Sequence, residues 1–156
     1  MNPALIDNPR RFRPTRVRDC VLWLDPQRLA VGSVASAPNL GTLGGTLDQG
    51  TGAARPTNTA GAGPNGGNAL VFDGGDFLTS SLAASAWNPL HSSGFHIFIV
   101  FNQTATANAF YGLLSTSTTF AGSRGIGVYW DNRSSFSLTA NLRTAVSNGS
   151  TYVIDP

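Results

Sequence analysis

Lysine and glutamate are absent from this chain: its ten basic residues are all arginine and its eight acids are all aspartate. Both missing residues are strong helix formers and the usual material of amphipathic surface helices. With eighteen glycines and nine prolines in their place, the composition points to an all-β protein with many turns. A single cysteine, Cys20, excludes an intramolecular disulfide, and its setting in Cys20-Val21-Leu22-Trp23-Leu24 reads as a small buried hydrophobe. One cysteine and two histidines are too few ligands for zinc. No apolar stretch approaches membrane-spanning length, so no membrane insertion is expected. Asp7 and Pro9 interrupt the N-terminal apolar residues before the arginines begin, so no secretory signal is expected either. No Gly-x-Ser-x-Gly elbow surrounds any serine. His91 falls in a loop and His96 in an apolar segment, where it reads as a core histidine bonded to a neighbour.

What is there divides unevenly along the chain. The 156 residues fit one domain with its own core, without metal or disulfide. Arg10, Arg11, Arg13, Arg16 and Arg18 place half of the basic residues near the N-terminus. Residues 1–16, with three prolines, read as an extended basic arm that orders only against a partner, and residues 17–156 read as the domain. Five charges with only Phe12 interleaved give nonspecific phosphate attraction at most, so no sequence-specific nucleic-acid binding is expected.

The stretch 69–102 organises the domain. Ala69–Phe72 and Asp76–Thr79 flank Asp73-Gly74-Gly75-Asp76, which has the chemistry of a hairpin turn. Phe95-His96-Ile97-Phe98-Ile99-Val100-Phe101, aromatic and β-branched and too short for a globular helix, reads as a central strand. A first strand is expected over Val17–Asp25, ended by Asp25-Pro26. Trp23 and Phe98 are placed in the core. In residues 30–68, Leu40, Leu43 and Leu47 pin an edge strand within a run of small residues. Ala109–Ser115, Gly125–Trp130, Ser134–Ala140 and Thr151–Ile154 have strand length and turn-rich spacers, the spacing of a sandwich or barrel.

Taken in order, Val21-Leu22-Trp23-Leu24-Asp25, Ala54-Arg55-Pro56-Thr57, Asn65-Gly66-Gly67-Asn68-Ala69-Leu70-Val71-Phe72-Asp73-Gly74-Gly75-Asp76-Phe77-Leu78 and Phe95–Phe101 resemble the first half of concanavalin A-like, laminin-G-like jelly-roll domains. The resemblance implies an antiparallel jelly-roll β-sandwich over roughly residues 17–154. Such modules occur in tailed-phage virion proteins, adhesins and carbohydrate-active enzymes, so it implies a fold before a function. The glucanases of that fold class use closely spaced carboxylates on one strand; without glutamate and without paired aspartates on a strand, no enzyme is expected.

Other motifs are weaker. Gly61-Ala62-Gly63-Pro64-Asn65-Gly66 satisfies G-x-G-x-x-G, yet no strand is read before it and no helix after it, so it carries no dinucleotide site. Asp73 and Asp76 are calcium candidates that lack further oxygens, and a structural turn is the simpler reading. No cofactor is implied. Asn102-Gln103-Thr104, Asn132-Arg133-Ser134 and Asn148-Gly149-Ser150 are chance matches to the glycosylation pattern. Trp130-Asp131-Asn132-Arg133 is the candidate glycan platform, an aromatic beside polar groups at a strand end; a Trp closing the sandwich is the plainer reading.

These observations favour a non-enzymatic virion structural protein of a tailed bacteriophage, docked by Arg10–Arg18 onto capsid (decoration or head-associated) or tail subunits and forming a homo-oligomer. The alternative is a glycan-binding host-recognition module of a tail fibre or adhesin, with a host-surface glycan as ligand.

Overall fold

A computed structural model describes residues 14, 17–92, 94–103, 110–116, 124–131, 141–148 and 152–155. The described residues form ten strands in three antiparallel sheets with little helix, an all-β protein. The chain divides into two compact units, Met1–Leu82 and Ala83–Pro156.

The first unit carries two three-stranded sheets built from the same three runs of chain. The first run contributes β1 (Gly32–Ser33) and β2 (Ser36–Pro38), the second β3 (Thr46–Asp48) and β4 (Thr57–Thr59), the third β5 (Ala69–Val71) and β6 (Thr79–Ser80). The sheet orders β1-β4-β5 and β2-β3-β6 place the second run in the middle of both. The unit is thus one antiparallel meander, bent halfway along every run. The bend is stapled by polar groups. Val34 N donates to Pro56 O (2.9 Å) and Gln49 N to Ala35 O (2.8 Å), carrying each ladder up to the corner. Arg55 closes the 49–55 excursion of the middle run, Nε donating to Gln49 O at 2.8 Å and Nη2 to Gly50 O at 2.9 Å. Buried Gln49 reaches the third run through Nε2 to Phe77 O (3.3 Å), while its Oε1 accepts from Thr51 N. Among the described residues of this unit the buried apolar side chains are Val34, Ala37 and Pro56, so these bonds fix the corner where described hydrophobic volume is short.

Several expectations are corrected here. Residues 20–25 form no strand; the segment is held instead by the 39–43 turn. Asn39 Oδ1 accepts from Trp23 N (3.0 Å) and Gly41 N (2.8 Å), and its Nδ2 donates to Val21 O (3.0 Å) and Gly44 O (2.9 Å). A side chain that supplies both donors and acceptors takes the place of a neighbouring strand. Trp23 is half-buried, its ring 5.5 Å from the Arg28 guanidinium, and Cys20 is half-buried too. The glycine turn at 73–76 does not close a hairpin: β5 pairs with β4, whereas β6 pairs with β3. The turn is the third run's corner. A strand, β4, does precede the G-x-G-x-x-G segment, but that segment leads through a turn at Pro64–Gly66 into β5 rather than into a helix.

In the second unit a short helix, α1 (Pro89–Ser92), precedes a four-stranded meander of β7 (Phe110–Ser115), β8 (Arg124–Asp131), β9 (Asn141–Asn148) and β10 (Tyr152–Asp155), in the order β10-β9-β8-β7. The register of β7 on β8 shifts between Gly112 and Leu114, a bulge. Three of these strands fall where the sequence places them. Ser134–Ala140 lies outside the described residues, and β9 was not foreseen. The clearest correction is Phe95–Phe101, which joins no ladder of the described sheets. Phe98 is 81% exposed, not core, and His96 is exposed, its ring stacked on that of Phe98.

Candidate functional site

The candidate platform sits at the end of β8. Asn132 and Arg133 lie outside the described residues; Trp130 and Asp131 are described, and strand alternation turns them to opposite faces. On the face of Asp131, Tyr129 and Gly127 from β8 meet Arg143 and Ala145 from β9, with Arg143 directly opposite Tyr129. Asp131 Oδ2 lies 3.5 Å from Arg143 Nε, the two side chains 1% and 8% exposed. They are diagonal neighbours across the ladder, a spacing that long side chains span. The carboxylate is therefore neutralised inside the protein instead of being presented to a ligand.

Tyr129 lies back over Gly127, where a β-carbon would collide with its ring. Its hydroxyl donates to Ser115 Oγ at 3.4 Å. Burial pushes the phenol's pKa up, and the Ser115 bond opposes that only in part. On the opposite face Trp130 is half-buried, with Phe101 edge-on to it at 5.7 Å and 68°. Trp130 thus has an aromatic neighbour and no described carboxylate beside it.

Asp73 and Asp76 organise their own turn. Asp73 Oδ1 accepts from Gly75 N (2.9 Å) and Asp76 Oδ2 from Asp73 N (3.0 Å), while Gly74 takes φ 101°, a value suited to glycine. No group of three metal-ligating side chains occurs among the described residues. Asp48 accepts from Ser36 Oγ (2.6 Å) and Thr46 Oγ1 (2.8 Å), and these bonds, Ser36 first, hold its carboxyl below the usual range. Asp25 accepts from Gln27 N and pairs with Arg28, and Asp19 pairs with Arg18. All six aspartates with described side chains have a partner within the protein.

His91 Nε2 lies 3.0 Å from Thr116 Oγ1, which also accepts from Ile126 N (2.9 Å). This contact ties α1 to the end of β7 and β8. Of the arm, Arg10, Arg11, Arg13 and Arg16 lie outside the described residues; Arg18 has a 96% exposed side chain. No helix among the described residues is long and apolar enough to cross a membrane.

Of the polar residues with the most evident work, Asn39, Gln49, Asn58 and Arg143 were not singled out from sequence, and Arg55 entered only as part of a family motif. Asn39 two residues before Gly41 has the signature of a side-chain turn. Asn58, fully buried, gathers Pro26 O, Leu29 O and Ala30 O around Nδ2 at 3.0–3.2 Å, a partnership across some thirty residues that local sequence does not display. Comparison with protein-family models, with curated proteins and with solved structures returns no match.

Proposed function

We propose that this chain is a non-enzymatic structural protein of a tailed-phage virion, a jelly-roll module docked by its N-terminal arm onto neighbouring capsid or tail subunits. The observation that carries the reading is the gathering of Arg10, Arg11, Arg13, Arg16 and Arg18 beside three prolines in a chain without lysine. Prolines keep such a segment out of a sheet interior. The guanidinium fork suits a protein partner, because it pairs bidentately with carboxylates and is less costly to desolvate than an ammonium. The engagement of the six described aspartates within the protein supports a structural role over an acid–base one.

Among the described residues the glycan-binding alternative draws on Trp130 and Phe101, since Asp131 is committed to Arg143. Cryo-electron microscopy of particles from the source tests the choice. Regular copies of the module on the shell or tail, with density for residues 1–16 against a neighbour, are the expected result. Particles lacking the protein would overturn the reading.

A further inference from the structure

The turn that joins β4 to β5 carries a reactive pair, independent of the arm. Gly67 N donates to Pro64 O at 3.1 Å, and the two residues between, Asn65 and Gly66, take φ of 54° and 74°. Positive φ at both central residues marks the mirror-image two-residue turn, for which Asn-Gly is a preferred sequence. Asn65 is exposed, and its side chain bonds to no described residue. Gly66 is exposed too, and a β-carbon built on it would meet nothing within 4 Å. The other described asparagines of this unit are placed differently. Buried Asn39 and Asn58 spend their amides on backbone partners and precede Leu40 and Thr59; Asn68 precedes Ala69.

We propose that Asn65 is a modification site, converting spontaneously to isoaspartate. The main-chain nitrogen of Gly66 gives its proton to solvent and attacks Asn65 Cγ. The new N–Cγ bond closes a five-membered succinimide as the Cγ–Nδ2 bond breaks and ammonia leaves. Water then opens the ring. Cleavage at Cγ leaves aspartate, and cleavage at the main-chain carbonyl leaves isoaspartate, with the chain rerouted through Cβ and Cγ. Glycine obstructs the attack least, having no side chain. The product does not fit the turn, because an added main-chain carbon lengthens a loop closed by Gly67 N to Pro64 O and by Gly63 N to Gly67 O (2.8 Å). The same turn holds the segment after Asp25. Gln27 Nε2 donates to Asn68 O at 3.1 Å and packs so closely on Gly67 that a β-carbon there would lie 2.6 Å from it. Conversion therefore loosens the Pro26–Arg28 turn, and it changes the balance of ten basic to eight acidic residues into ten to nine.

The test incubates the full chain in warm, mildly alkaline buffer beside a free peptide of residues 62–68. Cleavage after arginine separates Asn65, in the peptide that follows Arg55, from the chain's other Asn-Gly pair, Asn148-Gly149, in the peptide that follows Arg143. Mass spectrometry and isoaspartate-specific methylation should find the amide-to-acid change in the peptide after Arg55, at a rate within several-fold of the free peptide's. Asn65→Gly, which accepts the positive φ, should abolish it. In the converted chain, amide exchange at Leu29, whose N–H bonds to Pro26 O at 3.2 Å, should be faster than in the fresh one. An intact Asn65 after the free peptide has converted, a change confined to the peptide after Arg143, a signal that persists in Asn65→Gly, or unaltered exchange at Leu29 would each overturn the proposal.

Discussion

Arg143 enters the sheet interior opposite Tyr129 and meets Asp131 there, both side chains nearly without solvent. Burying two charges is costly, and their attraction offsets that cost only while both are present. Asp131→Asn or Arg143→Met alone should therefore destabilise by about 3–5 kcal/mol, whereas the Asp131→Leu, Arg143→Met double variant should lie much nearer the parent. Urea denaturation of the four proteins checks this, and single variants as stable as the parent would contradict it. Beside them, Tyr129 titrates above the ordinary phenol value of 10.0 because it is buried. Its contribution is full below that ordinary value and is lost as pH rises through the raised folded one. Melting temperatures taken through the alkaline range should fall more steeply for the parent than for Tyr129→Phe. Parallel curves would show that the phenol stays accessible.

At the scale of elements, Arg55 is the test of the bent meander. Its two bonds to Gln49 O and Gly50 O hold the corner of the middle run, and hydrogen bonds from a charged donor are worth about 1.5–3 kcal/mol each before coupling. Arg55→Ala should speed amide exchange at Val34, Gln49 and Phe77, whose N–H groups bond across the corner, while leaving β8 and β9 protected. Uniform exchange throughout the first unit would mean that the corner is not a local staple. The all-β class and the positions of β7, β8 and β10 were legible because apolar and aromatic runs stood between turn residues. β9 was not, and its burial says why: Arg143 and Ala145 point inward while Leu142, Thr144 and Val146 are exposed, an inversion of the pattern by which strands are read. The segment 95–101 shows the converse. Its aromatic and β-branched run reads as a central strand, yet it joins no ladder of the described sheets, because strand pairing is a tertiary property that local sequence does not fix. At 73–76 the turn was legible and its partners were not, since a corner and a hairpin use the same glycines. Of the candidate platform, Trp130 was found as an aromatic at a strand end, while the inward turn of Asp131 depended on an arginine twelve residues on.

At the scale of the whole molecule, each of the two units has a sheet core of its own, and the first depends heavily on buried amides. Asn39, Gln49 and Asn58 are used there to hold the chain in shape. On the proposed reading, the arginines near the N-terminus supply the attachment. The measurement that bears most directly on this account is deletion of residues 2–16, read for both stability and assembly. The melting temperature should stay within a few degrees of the parent's, while incorporation into particles is lost; replacing Arg10, Arg11, Arg13 and Arg16 by Gln should weaken docking and its salt dependence together. Full incorporation of the truncated chain into particles would contradict the account.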